Sequence, residues 1–488
     1  MNWKMWQKCV GKMGKKLPIF LFIFILLYVI GSLICYPLLT KRHVLKQKEK
    51  YAEQAAKETV DRSASVRCLD DNTQALVYRL ALIESAQREL IMTTFDMSDG
   101  ESGQDLMAAM LQAADRGVRI RLMVDGINAW LKLEKSDLFG AFSTHPNIEI
   151  RFYNPIRLTK LWKLNYRMHD KYLIADDTAY ILGGRNSNNL FLGAYRDTYN
   201  IDRDLYVLER TEKNASDVMQ KKERNSLQDI KAYFEKIWVQ PDQKIFRKKE
   251  TEKTKEGLAL LREHYKELQT AYPEVFSETE TLLTQDLIRV DSIQFLHNPL
   301  YADEKVPVVY QRICQEMEQG ETILIQTPYI ICDKGMYQDL SELCRAGKQI
   351  EIITNAVESG ANPWGCTDYL NERKSILKTG AGVYACMAGQ SLHTKTVLID
   401  DETSIVGSYN LDLRSTYLDT ELMLLVKSKE LNKQLRDQAA AYQEKSAYEK
   451  AGKPSRTGSL YEKKEMSGMQ KVIYSILRIL IRPIREVL

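Results

Sequence analysis

Apolar and polar positions repeat along this chain in two similar blocks. RELIMTTF (88–95) is a short apolar run bounded by charge, which predicts a strand. GQDLMAAMLQAADR (103–116) carries apolar residues at helical spacing, and RGVRIRLMVDG (116–126) returns to a strand after a basic helix end and a Gly. The second block runs ETILIQTPY (321–329), YQDLSELCRA (337–346) and AGKQIEIITNA (346–356), again strand, helix, strand. Each block leads to a hairpin pattern, YLIAD with TAYILGG and TVLID with TSIVGS, whose turns fall at Asp176-Asp177 and Asp400-Asp401. Strand–helix–strand alternation predicts an α/β class with parallel strands. The expected layout is two pseudo-symmetric α/β domains at 65–211 and 288–430. Residues 212–287 fit neither repeat. Their helical patterns, KKERNSLQDIKAYFEKIW and KKETEKTKEGLALLREHYKELQ, predict a charged helical insert or linker.

Two segments depart from this globular pattern. Residues 17–40 carry no charge, with Pro18 and Pro37 near the ends, so a helix of roughly 30 Å is predicted, long enough to span a bilayer. The stretch is long for a signal peptide, and Ile34-Cys35-Tyr36 is a poor cleavage site, so a retained anchor is expected. Lys4, Lys8, Lys12, Lys15 and Lys16 precede it, and Lys41, Arg42, Lys46, Lys48 and Lys50 follow. With flanks so balanced, the positive-inside rule selects neither orientation. A linker is expected over 41–64. The C-terminal region, 431–488, is expected to be helical with a basic amphipathic tail (470–488). In the tail Lys471, Arg478, Arg482 and Arg485 form one stripe beside Ile473, Ile476, Leu477, Leu480 and Ile481. That pattern fits a helix in the headgroup region and equally one packed on the protein's own core.

The hairpins carry the chemistry. RMHDKYLIADDTAYILGGRN and SLHTKTVLIDDETSIVGSYN share their spacing: from His169 and from His393, a Lys stands at +2 (Lys171, Lys395), an Asp at +7 (Asp176, Asp400), a Gly at +14 and an Asn at +17 (Asn186, Asn410). In a strand, residues i and i+2 share a face, so each His projects with its Lys. Two imidazoles can serve as nucleophile and general acid, and two Lys with two Asn can hold the oxygens of an anion. A phosphodiester suits this set: one His attacks phosphorus while the other protonates the leaving alcohol. A single His is more often structural, and His43, His145, His264 and His297 are read that way. His169 and His393 stand apart because the whole spacing recurs. Trp130 and Trp162 flank the first motif and suit core packing or a lipid entrance.

Composition narrows the partners. The chain has 488 residues, 69 basic against 65 acidic and a net charge of +4, too balanced to argue for nucleic acid. Eight scattered Cys include no C-x-x-C, which argues against a zinc cluster and for buried thiols, with a disulfide among the five late Cys only if that region lies outside the cytosol.

The doubled pattern H-x-K-x4-D-x6-G-[GS]-x-N resembles the phospholipase D superfamily, and closely its bacterial cardiolipin synthases. The likeness covers roughly 65–210 and 285–430, with STHPNIEIRFYNP (143–155), NYRMHDKYLIAD (165–176) and GSYNLDLRSTYLDTE (407–421) as supporting stretches. It implies two phospholipase D-like domains sharing one active site. It also implies a phosphohistidine mechanism with no metal and no cofactor, phospholipid substrates and a membrane setting with the catalytic side cytoplasmic. No nucleic-acid partner is implied. By analogy His169 is the nucleophile and His393 the acid/base, Lys171 and Lys395 act beside them, and Asp176 and Asp400 are supporting. Asn186, Asn410 and Ser408 are supporting or substrate-binding. Glu421 looks like the carboxylate that orients a motif His. Its counterpart in the first half is open between Asp197 and Asp204, with Asp204 preferred. The activity implied is transfer of a phosphatidyl group to a second phospholipid, giving cardiolipin. A phospholipase D-type hydrolase releasing phosphatidic acid is the alternative, and a nuclease a more distant one.

Overall fold

The computed structural model describes residues 21–45, 64–209, 225–301 and 304–488. The basic residues before the anchor, Pro18, most of the expected linker and the first part of the expected insert lie outside the described residues.

The chain builds the same sheet twice. In the first half the strands lie in the order Ser65–Leu69, Asp204–Leu208, Ala179–Gly183, Tyr172–Ala175, Glu89–Thr94, Arg119–Asp125, Ile148–Tyr153, Lys244–Phe246. In the second the order is Ser292–His297, Leu422–Lys427, Thr403–Gly407, Thr396–Ile399, Thr322–Gln326, Gln349–Asn355, Gly382–Cys386, Ser446–Glu449. Within these two sheets the described strands that pair in parallel are those joined by helical crossovers. The motif hairpins and the outer strands pair antiparallel, since a tight turn can only reverse direction. Each sheet gains one more short strand, Ile288–Arg289 in the first and Arg456–Thr457 in the second.

The two sheets meet face to face. Val66, Ile174, Leu182 and Val207 of one share a core with Phe295, Leu398, Val406 and Leu424 of the other. The opposite face of the first sheet is covered by helices that include Asn72–Ser85, Glu101–Asp115 and Glu252–Ala271. The opposite face of the second is covered by Val308–Gln319, Lys334–Arg345 and Pro363–Lys378. Both faces of each sheet are therefore buried, which explains why its strands read as near-continuous apolar runs.

Three expectations are corrected. Helix Ser226–Trp238, expected within a linker, buries Leu227, Ile230, Phe234 and Ile237 in the core between the sheets. Its partner in the repeat is Lys429–Gln443, whose Leu431, Leu435 and Ala439 enter the same core. Both halves thus run past the limits of 211 and 430. Motif similarity ends at those limits, and the helix that closes each unit carries apolar spacing and no motif. Glu252–Ala271, also in the expected insert, packs its Leu261, Tyr265 and Leu268 on the first half.

Second, Pro37 does not end the anchor helix. Among the described residues one helix, Leu21–Val44, is long and apolar enough to cross a membrane. It continues through Pro37 because Gly31–Cys35 winds as a π-helix just before it. The wider turn accommodates a residue that lacks an N–H and crowds the preceding carbonyls. Third, Arg485 of the tail does not line a headgroup-facing stripe. It turns inward, donating to Asp368 at 2.7 Å and to the Cys332 carbonyl. Among the cysteines, Cys68, Cys332, Cys366 and Cys386 are buried thiols, and burial raises the pKa of each.

Candidate active site

Each motif histidine stands just before a hairpin strand, Tyr172–Ala175 or Thr396–Ile399, at the strand's entry end. Asp176 and Asp400 lie at the other end. Both adopt positive φ, 52° and 48°, which Asp tolerates better than most residues. Asp176 accepts the backbone N–H groups of Gln87, Arg88 and Glu89, and Asp400 those of Glu321 and Thr322. They tie each hairpin to the neighbouring parallel strand at the end remote from the histidines. Their place is structural, as supporting residues outside the reacting group.

At the near end the two halves cross. His169 of the first half holds its Nδ1 2.8 Å from Oε1 of Glu421 in the second half. His393 of the second half holds its Nδ1 2.5 Å from Oδ2 of Asp202 in the first half. Short backbone bridges enforce the exchange: Met168 pairs with Thr420, and Ser391-Leu392 with Asn200-Ile201. The Thr420 hydroxyl accepts the His169 N–H and donates to Asp170. Tyr233, on helix Ser226–Trp238, donates to the other oxygen of Asp170 at 2.8 Å.

The carboxylate partner of His393 is therefore Asp202, and neither Asp204 nor Asp197. The ladder explains why. Gly183 pairs with Asp204, and the matching Gly407 pairs with Met423. Asp204 is thus equivalent to Met423, and Asp202, two residues earlier, is equivalent to Glu421. Asp202 precedes the strand Asp204–Leu208 and is the one level with the histidine. Asp204 instead binds Arg79 at 2.9 Å and lies 3.4 Å from Arg185, all three buried. The signal in the chain is the longer loop after Asn186, which shifts the spacing by five residues relative to the second half.

The neighbouring positions follow the same symmetry. Ser408 donates to Glu421 Oε2. Its counterpart Gly184 has no side chain, and a Cβ there would fall on the Asp202 carboxylate. Lys171 donates to the His169 carbonyl at 2.6 Å, and Lys395 reaches the His393 carbonyl and ring. Phe95 meets His169 edge-on at 5.1 Å and Phe191 meets His393 at 5.0 Å, two contacts with no signature in the sequence. Asn186 and Asn410 are buried, and each presents a side-chain carbonyl oxygen with no protein partner. A cavity of about 160 Å³ beside His393 is lined by Phe191, Asn200, Tyr329, Asn355 and Asn362. The larger cavity, about 530 Å³, lies between two outer helices and touches neither histidine.

Burial governs the charges. It drives the His169 pKa well below 6.5, with Lys171 adding to the effect. It lowers that of His393 to about 4, with Lys395 adding and Asp202 opposing. Lys171 falls to about 7 through burial, with Glu421 pulling against it. The two carboxylates separate. Burial pushes Glu421 up to about 8 against Lys171 and Ser408. Asp202 is equally buried, yet Lys395 and His393 outweigh that penalty and hold it below the ordinary carboxylate range. His169 feels Lys395 and His393 feels Lys171, so the two motifs form one electrostatic unit. Each ring has Nδ1 occupied by a carboxylate, which leaves Nε2 for chemistry. Among the described residues no cluster of three His, Cys, Asp or Glu side chains is arranged to hold a metal.

Similarity to known proteins spans the segments that carry both motifs. A family model described as cardiolipin synthase, PLD-like domain, matches residues 80–238 and 313–442, more than half the chain. Both matched segments include the closing helices that follow the motif strands. Cardiolipin synthase C of Escherichia coli is 25% identical over 408 residues, covering 74% of this chain and 81% of that protein. The major cardiolipin synthase ClsA of Bacillus subtilis is 25% identical over 359 residues, covering 73% of this chain and 64% of that one. The crystal structure of phosphatidylserine synthase from Haemophilus influenzae superposes with a TM-score of 0.61 at 17% identity, covering 90% of this chain and all of that one, a likeness of fold. The twin sheets, the reciprocal imidazole–carboxylate pairs and the span of the family model lead to one conclusion: the chain belongs to the cardiolipin synthase family of phospholipase D-like proteins.

Proposed function

We propose that this protein is a membrane-anchored phosphatidyltransferase that makes cardiolipin from phosphatidylglycerol and a second phospholipid. The observation that carries the reading is the reciprocal pairing of His169 with Glu421 and His393 with Asp202 across the two halves.

The chemistry follows from the charges. When Glu421 is ionised and accepts from Nδ1, a neutral His169 offers the Nε2 lone pair to phosphorus. Attack forms a P–N bond and breaks the P–O bond to the donor's headgroup alcohol. His393 acts as the acid only as the imidazolium, with a second proton on Nε2 that the ionised Asp202 and the bound phosphodiester's negative charge favour; it gives that proton to the leaving alcohol and, then neutral, takes one from the acceptor hydroxyl. The acceptor oxygen displaces His169 and completes the phosphodiester. Lys171, Lys395, Asn186 and Asn410 supply the positive charge and amide donors that a phosphate's oxygens need. The edge contacts of Phe95 and Phe191 restrict water around both rings, which favours a lipid acceptor over hydrolysis. The helix Leu21–Val44 supplies the membrane anchor, and the buried thiols fit a catalytic body on the reducing, cytoplasmic side.

The test is lipid mass spectrometry on the purified protein with phosphatidylglycerol, with and without phosphatidylethanolamine, beside His169→Ala and His393→Ala. Cardiolipin that disappears in both variants is the expected result. Phosphatidic acid alone would make the protein a hydrolase, and no lipid product would overturn the reading.

A further inference from the structure

The C-terminal helix Gly468–Leu480 has more apolar surface than its packing uses. At about 100° per residue, Tyr474, Leu477 and Ile481 form one stripe. Tyr474 and Leu477 pack on the outer core of the second half, and Ile481 is fully buried. Met469, Val472, Ile473, Ile476, Ile479 and Leu480 form a second stripe, about 120° wide by the same spacing. Their exposures run from 45% to 72%. Lys471, Ser475, Arg478 and Arg482 occupy the remaining sector, and all are exposed. One apolar stripe suffices to dock a helix on a protein. The second has no partner among the described residues, and so broad an exposed patch marks an interaction surface.

The surroundings identify the partner. The turn after this helix, Arg482–Val487, lies against the foot of the anchor. Glu486 pairs with Lys41 at 2.7 Å, and Lys41 is the first charge after the apolar run. The chain end thus sits where the anchor leaves the apolar phase. Segment 156–166 also lies against the anchor: Asn165 donates to the Leu33 carbonyl at 2.8 Å, Tyr166 meets Tyr36 edge-on, and Tyr28 donates to the Leu158 carbonyl at 2.9 Å. This collar reaches well up the apolar run, and its own Leu158 is 77% exposed. Arg157, Lys160 and Lys163 gather there around the single carboxylate of Asp242.

We propose that Gly468–Leu480 lies in the membrane–water boundary as an in-plane helix. Its second stripe is sunk among the lipid chains of the leaflet next to the body, and Lys471 and Arg482 meet anionic headgroups. An amphipathic helix with a basic polar face is suited to that depth. The inference rests on reading Leu21–Val44 as a membrane anchor and is independent of the reaction catalysed. Together the anchor, the collar and this helix give three contacts with one leaflet.

The test places a nitroxide at Ile476→Cys, and separately at Lys471→Cys, in the full chain in nanodiscs containing phosphatidylglycerol. The signal of the unsubstituted chain, labelled in the same way, is subtracted. At 476 collisions with oxygen should exceed those with a water-soluble nickel chelate, and at 471 the order should reverse. Adding Ile473→Asp with Ile479→Asp should abolish the oxygen preference at 476 while thermal unfolding stays unchanged, since both sites are exposed. Equal access of the nickel chelate to both positions would overturn the proposal. So would a label at 476 shielded from both colliders, which would mean a protein or a second copy of this chain covers the stripe.

Discussion

Asp204 opens a strand and Asp202 lies two residues before it, and replacing each by Asn should have opposite kinds of effect. Asp202 is an ionised acceptor for His393 Nδ1 at 2.5 Å and stands 3.5 Å from Lys395 Nζ. A carboxylate only accepts, so it keeps the ring proton on Nδ1 and leaves Nε2 for the reaction. An amide can donate to Nδ1 and move the ring proton to Nε2. Loss of a charge-assisted hydrogen bond costs about 1.5–3 kcal/mol. At an effective dielectric near 20, the Coulomb attraction to a cation at that separation adds up to about 5 kcal/mol, of which burial of the pair offsets a large part. Since 1.36 kcal/mol is tenfold in rate, Asp202→Asn should lower kcat by about 10²–10⁴. Asp204 is fully buried between Arg79 and Arg185 and touches neither histidine. Asp204→Asn leaves two buried guanidinium groups short of a counter-charge, which should cost about 3–5 kcal/mol of stability. The assay measures cardiolipin formation by mass spectrometry and thermal unfolding on the same preparations. Asp202→Asn should be folded and nearly inactive, and Asp204→Asn active only below a lowered Tm. If Asp202→Asn kept a tenth of the wild-type rate while Asp204→Asn abolished turnover at unchanged stability, the assignment of the orienting carboxylate would be wrong.

Three further outcomes follow from the geometry. Gly184→Ser puts a side chain onto the Asp202 carboxylate, so it should cost about as much activity as Asp202→Asn, whereas Ser408→Gly removes the hydrogen bond to Glu421 and an acceptor of the Leu422 N–H and should cost about tenfold, read as kcat in the same lipid assay. Lys171 carries its proton below about 7 and loses it above, because burial depresses it from 10.5. Its charge is what attracts the phosphate in the free enzyme, so kcat/KM should fall as pH rises through about 7, and Lys171→Arg should remove that limb; a flat wild-type profile from pH 6 to 9 would contradict the charge state. Asp176→Ala deprives three backbone N–H groups of an acceptor and puts a Cβ residue without a polar side chain at φ 52°, so stability should drop by about 2–4 kcal/mol with kcat per folded molecule unchanged, as measured by denaturant unfolding beside the rate.

The sequence by itself determined everything carried by local periodicity and repeated spacing. Branched apolar runs, helical stripes and the doubled His–Lys–Asp–Gly–Asn pattern are short-range properties, and they identified the α/β class, the two halves, the one described helix long and apolar enough to cross a membrane, and the histidines of the candidate site. Glu421 was legible as well, because it sits at the mouth of the strand that follows its own motif. The tertiary structure alone decided what depends on strand register and on contacts between distant segments. Which of two nearby aspartates is level with His393 is a matter of the pairing of Gly183 with Asp204, invisible without the ladder. That Glu421 serves the histidine of the other half, and Asp202 likewise, follows from bridges between residues more than 190 positions apart. The same reason explains helix Ser226–Trp238, a charged amphipathic stretch whose apolar side has meaning only once two sheets face it. It applies again to the C-terminal helix, whose two apolar stripes look like one broad face until the fold buries the first and leaves the second exposed.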